Sequence, residues 1–202
     1  MGWQNSKSHE IARTLQPPGL AEDLAEQVQN DGAVKMKAIT VWQPWASLLA
    51  RNLKLFETRS WATNYRGPIA IHAAALTIPQ VLKKLFPLGA WDYHPDYQAK
   101  KAFLDVVTEA LNPYTLEGLP LGAVVATAEL VGCHKIVRHG GRGMSARGPG
   151  WLETGIGIYE PTERELMFGD WAPGRYAWEF KDMKLVTPVP AKGKQGLWEW
   201  NV

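Results

Sequence analysis

The chain has 202 residues, 46% of them hydrophobic, ten tryptophans and a net charge of only +2. That length and apolar share suit one globular domain with a full core, and the near-neutral charge confines any nucleic-acid surface to a local patch. The single cysteine, Cys133, rules out an internal disulfide framework, and the absence of a long uncharged apolar run argues against a transmembrane helix.

Residues 1–35 carry few large apolar letters. Ile11, Leu15, Leu20, Leu24 and Val28 fit an amphipathic helix interrupted at Pro17-Pro18-Gly19, read here as an N-terminal arm or helical extension. The first ten residues lack an apolar signal core, so a cytoplasmic location is expected. Residues 39–42 read as the end of a strand. Pro44 suits a first helical turn, and Trp45, Leu48 and Leu49 recur at i, i+3, i+4 to give that helix an apolar face. Residues 55–61 read as extended, on the β-formers Phe56, Thr58 and Trp61. Asn64-Tyr65-Arg66-Gly67-Pro68 is a turn by composition, and residues 68–74 follow as a buried strand.

Residues 76–120 predict a helical insertion. Pro79 opens one helix with Val81, Leu82, Leu85 and Phe86 inward. Asp96 caps a second that runs to about Leu111 with Phe103, Leu104, Val107 and Leu111 inward. Residues 122–131 read as a buried strand. Residues 132–150 read as a Gly-rich basic loop carrying Lys135, Arg138, Arg142 and Arg147 and no acid. Residues 175–180 alternate as a half-buried strand, and residues 185–189 and 197–200 supply the last strands. Many short strands suggest a small closed barrel, which removes exposed edges.

Gln43-Pro44-Trp45-Ala46-Ser47-Leu48-Leu49 is followed by Lys54 with Glu57, Arg59, Ser60 and Trp61, then by Tyr65-Arg66-Gly67 and Ile69-Ala70-Ile71-His72-Ala73. GAVVATAEL at 122–130, GDWAPGRYAWEF at 169–180, Pro188-Val189-Pro190 and GKQGLW at 193–198 continue the series. Together these segments resemble the ASCH domain (the activating-signal-cointegrator homology family) of the PUA-like superfamily, over roughly residues 36–202 with an unmatched middle. The resemblance implies a mixed α and β fold: a small PUA-like β-barrel with flanking helices and a helical insertion. It also implies a nucleic-acid function, or an amidohydrolase acting on N4-acylated cytidines through a Lys, a Thr and a Glu. Lys54 and Glu129 occupy the first and last of those places. Glu57 stands where the family has threonine, a departure that a hydroxyl mechanism does not survive.

The resemblance implies one cleft for these residues, and their types leave more than one role open there. Glu57 and Arg59, two apart on a strand, project to one side and suit either base-edge recognition or a surface ion pair. Lys54 with Glu129 or Glu57 is either a proton-transfer pair or a buried ion pair. Trp45, Trp61 and Tyr65 lie among Arg59 and Arg66, a pattern that suits a stacked base with its phosphate on an arginine, although Trp45 also fits the helix core. Lys192, Lys194 and Gln195 sit in a Gly-bounded loop able to hold an anion. His72 reads as a core histidine. Cys133 and His134 lack the partners of a zinc site, and no cofactor fingerprint occurs. The leading expectation is an RNA or single-stranded nucleic-acid binding module using Gln43, Trp45, Arg59, Ser60, Trp61, Tyr65, Arg66, Arg138, Arg142, Arg147, Lys192, Lys194 and Gln195. A hydrolase in the same cleft is the alternative, acting on a modified nucleoside or as a ribonuclease, with Lys54, Glu57 and Glu129 as catalytic groups. A protein-interaction adaptor using the arm or the insertion is a further one.

Overall fold

A computed structural model describes residues 35–85, 95–137, 151–154 and 157–201. The elements run β1 (Lys35–Val41), α1 (Trp45–Ala50), β2 (Phe56–Arg59), β3 (Gly67–Ala73), α2 (Ile78–Leu85) and α3 (Pro95–Leu111). A 3-10 turn (Leu116–Gly118) then leads to β4 (Ala123–Val137), β5 (Trp151–Thr154), β6 (Gly157–Tyr159), α4 (Glu163–Phe168), β7 (Tyr176–Pro190) and β8 (Leu197–Asn201).

The strands hydrogen-bond in the order β2-β7-β4-β3-β1-β8, with β5 and β6 extending from β4. β1 and β3 are parallel, whereas β3–β4, β4–β7 and β2–β7 are antiparallel. Two 15-residue strands, β4 and β7, carry the curl. Their ladder slips register at three places, each a bulge that bends the strand and increases its twist. In β7, Asp182 takes a left-handed φ of 50°. The result is a curled half-barrel whose terminal strands β2 and β8 share no ladder among the described residues. The mixed fold class is as expected, but the barrel is open along one seam rather than closed by pairing.

The sequence pattern underestimated both long strands. β4 continues through Gly132 to Val137, so the expected basic loop starts no earlier than residue 138. β7 joins two expected strands through the polar run 181–184. In both cases the bulges interrupt the alternation on which a period-two reading depends. In α2 only Val81 is buried, and Leu85, expected inward, is 42% exposed. Val107 and Leu111 of α3 are buried as the periodicity predicts.

Helix α1 is buried on all sides and joins two cores. Leu49 enters the barrel core with Ile39, Ile69, Ile71 and Trp178. Leu48 enters the helical core with Val107, Leu111 and Phe168. Burying apolar side chains on both faces is what fixes so short a helix, which would not persist alone. Gln43 completes its start: Oε1 accepts the Ser47 N–H at 3.1 Å, and Nε2 donates to Pro120 O at 2.9 Å.

Candidate functional site

The open seam forms a cleft of about 640 Å³. Arg59 and Trp61, at the end of β2, make one wall. Thr40 and His72, paired neighbours on β1 and β3, make the other. The loop of residues 191–196, between β7 and β8, closes one side with Lys192, Lys194 and Gln195. Five of the residues expected at a nucleic-acid site therefore meet here: Arg59, Trp61, Lys192, Lys194 and Gln195.

Each is positioned by identifiable contacts. Trp61 packs edge-to-face on the buried Trp178, centroids 4.6 Å apart, and its carbonyl accepts the Trp178 indole N–H at 3.3 Å. Arg59 crosses the seam: its Nη2 donates to Thr40 O at 2.8 Å and lies 3.1 Å from Glu57 Oε1. The loop is held at Ala191, whose N–H donates to Gly122 O at 3.0 Å and whose carbonyl lies 2.9 Å from His72 Nε2. Thr40 Oγ1 donates to Lys194 O at 2.9 Å. Gly193 rests against His72, where a Cβ would come within 2.4 Å of the ring, so no larger residue fits without moving the loop. His72 is 1% exposed. Burial lowers its pKa, partly opposed by the bond to Ala191.

Behind Arg59 lies a buried charge chain. Lys54 is 2% exposed, and its ammonium donates to Phe56 O and stands 3.5 Å from Glu57 Oε2. Burial lowers the Lys54 pKa, with Glu57 and Glu165 acting against it. Glu165, on α4, accepts the Leu55 N–H at 2.6 Å, and burial raises its pKa. The Leu55 and Phe56 backbone N–H groups and the Lys54 charge oppose that rise. The expected pair of Glu57 with Arg59 on one side of β2 is present, but the two bind each other rather than presenting a free carboxylate. The expected pairing of Lys54 with Glu129 is absent. The groups acting on Lys54 are Glu57, Glu165 and Arg59, while Glu129 lies by Tyr65 and Gly67 and helps raise the Tyr65 pKa after burial. Neither Lys54, Glu57 nor Glu129 lines the cleft.

The remaining expected residues serve other ends. Gln43 is buried and engaged by Ser47 at the start of α1 and by the Pro120 carbonyl. Trp45 stacks on Phe103 at 5.4 Å between the two cores. Ser60 is exposed beside the cleft rather than lining it. Tyr65 donates its hydroxyl to Pro68 O at 2.6 Å, and Arg66 folds back on the carbonyls of Thr63 and Tyr65, so both complete their own turn. Arg138, Arg142 and Arg147 lie outside the described residues. Thr40, His72 and Glu165 were not singled out as site residues. Thr162-x-x-Glu165 has the letters of a capping box, and Thr162 Oγ1 does accept the Glu165 N–H at 3.2 Å, but the Glu165 carboxylate reaches the Leu55 N–H just before β2, 110 residues away.

The fold and the cleft together define a small PUA-like barrel with a basic, tryptophan-walled seam. The model of the ASCH domain matches residues 39–189, and the chain belongs to that family. The family is associated in general with RNA binding and related functions. No curated protein matches the chain. No described helix is long and apolar enough to cross a membrane, and the described residues contain no group of three or more His, Cys, Asp or Glu able to hold a metal ion.

Proposed function

We propose that the protein binds single-stranded RNA, with one base held in the seam cleft and its phosphates on the loop of residues 191–196. The observation that carries this reading is the cleft's composition. Trp61, Arg59, Lys192 and Lys194 line it, and no carboxylate does so among the described residues. An indole face, an arginine and exposed lysines are what an unpaired nucleotide requires: stacking for the base and charge for the phosphate. Arg59 is held by Glu57 and Thr40 O, so its guanidinium is ordered before any ligand arrives.

The hydrolase reading needs Lys54 and Glu129 at one substrate. Lys54 is sealed beneath Glu57, and Glu129 is elsewhere. The charge chain is better suited to positioning Arg59 than to proton transfer. A modified nucleoside remains compatible as a ligand of the same cleft.

Fluorescence anisotropy with a labelled single-stranded RNA tests this at roughly 0.05 M salt, where screening is weak. Saturable binding is expected. Replacing Lys192 and Lys194 by Ala should weaken it and flatten the salt slope by about 0.7 per lost phosphate contact. Because both side chains are exposed, the fold should be unaffected. Absence of binding by the wild-type protein under these conditions would reject the reading. Release of acetate from N4-acetylcytidine, or cleavage of the RNA, would show that the site is catalytic.

A further inference from the structure

Trp42 lies in neither of the cores that α1 joins and is 38% exposed, an uncommon setting for so large an indole. Register fixes its place. Ile39 and Val41 of β1 point into the barrel core, so Thr40 and Trp42 belong to the opposite face. Thr40 pairs with His72 and Val41 with Ala73, and the Ala74 N–H donates to Val41 O at 2.9 Å, which brings Trp42 alongside Ala74. Thr40, His72 and Ala74 all line the cleft. Trp42 is thus the next side chain in the row that forms the cleft wall, about 6.6 Å beyond Thr40 along the strand. The same rim carries charge. The Lys84 ammonium of α2 stands 5.9 Å from the Trp42 ring centroid. α2 has Lys83 and Lys84 in its last turn and no acid. The bond from Gln43 to Pro120 O brings the exposed Leu121 to this rim as well, next to the cleft residue Gly122.

Resting on the RNA reading above, we propose that Trp42 and Lys84 form a second stacking site, for the nucleotide next to the one in the cleft. Its base lies on the exposed indole, and Lys84 takes its phosphate. Continuity with the cleft and lysines without a balancing acid on α2 favour a nucleotide here. The apolar part of the rim is two side chains, Trp42 and Leu121, far less than the roughly 800 Å² per partner of a stable protein interface. At 5.9 Å the ammonium is at the outer limit of a cation–π contact, so the flexible Lys84 side chain loses little when it turns from the ring to a phosphate. Every base has a π-face, so this second site adds affinity without base preference.

The test uses anisotropy with a labelled single-stranded RNA of several nucleotides, and each variant is melted beside the wild type. Trp42→Ala and Trp42→Leu should each weaken binding roughly 10-fold, the loss of one stacked base. Trp42→Phe keeps an aromatic face and should retain most of the affinity. Trp42→Leu keeps the apolar bulk that packs beneath the ring, so its melting temperature should stay close to that of the Phe variant while its affinity falls. Lys84→Ala should flatten the salt slope by about 0.7, one phosphate contact. Equal affinity of Trp42→Ala and wild type would overturn the inference, leave RNA binding standing and assign the rim to a protein partner. Equal affinity of the Leu and Phe variants would overturn it too, and this comparison decides alone if the Ala variant fails to fold. Failure of the wild type to bind RNA would overturn both readings together.

Discussion

Lys54 places an ammonium group where water does not reach, and its neighbours explain how the fold tolerates it. Glu57 and the Phe56 carbonyl take its donors, and Glu165 adds a second negative charge nearby. Lys54→Ala leaves Glu57 with Arg59 alone and strips the Phe56 carbonyl of its side-chain donor, so it should cost about 1–3 kcal/mol in a denaturant melt. Glu165 makes a separate prediction. Its pKa is raised in the fold, so its contribution to stability is fully present below the ordinary carboxylate pKa and is lost as pH rises through the raised value. Glu165→Gln keeps an acceptor for the Leu55 N–H and removes the titration. The variant's melting temperature should therefore lack that part of the decline between mildly acidic and neutral pH. A pH profile identical to wild type would mean that Glu165 is ionised throughout. The Glu57–Arg59 pair was legible in the sequence because period two puts both on one side of β2. Glu165 was not, because its contact with Leu55 spans 110 residues and no local pattern encodes it. His72 was legible as buried, but its contact with the Ala191 carbonyl spans 119 residues and no local pattern encodes it.

Helix α1 shows how much six residues can carry when both faces are buried. Leu48 is fully enclosed by α3 and α4, and Leu48→Ala should cost about 2–5 kcal/mol in thermal or chemical unfolding. Gln43→Ala strips the Ser47 N–H and the Pro120 carbonyl of partners at once and should cost about 1–3 kcal/mol. The apolar spacing of α1 was readable from its letters. Its two-sided burial was not, since that depends on a helix starting 45 positions later than Ala50. The long strands illustrate a different limit. Their alternation is broken by bulges, which are the same features that bend them into a barrel.

Over the whole molecule, the half-barrel keeps a seam where one arginine, rather than a strand ladder, spans from β2 to β1. Arg59→Ala should therefore loosen the seam as well as lower RNA affinity, whereas Lys194→Ala should affect affinity alone; melting temperature and anisotropy measured on the same samples separate the two effects. The barrel class was legible from the motif series and the many strands. The seam was not, because openness is a property of which edges fail to meet. His72 adds a pH dependence at this scale. Its pKa is lowered, so the stability it contributes is present above the usual imidazole pKa and lost as pH falls through the lowered value.

The anchoring of Ala191 by both its N–H and its carbonyl, with Thr40 holding Lys194 O, has a kinetic consequence. A loop already tied down does not have to order itself around an arriving strand. Association should then be limited by electrostatic encounter with the exposed lysines, giving a fast bimolecular rate that drops with added salt. Dissociation, set by the desolvated contacts at the base of the cleft, should respond little to salt. Stopped-flow traces should accordingly fit a single second-order phase, with no slow step that becomes independent of RNA concentration.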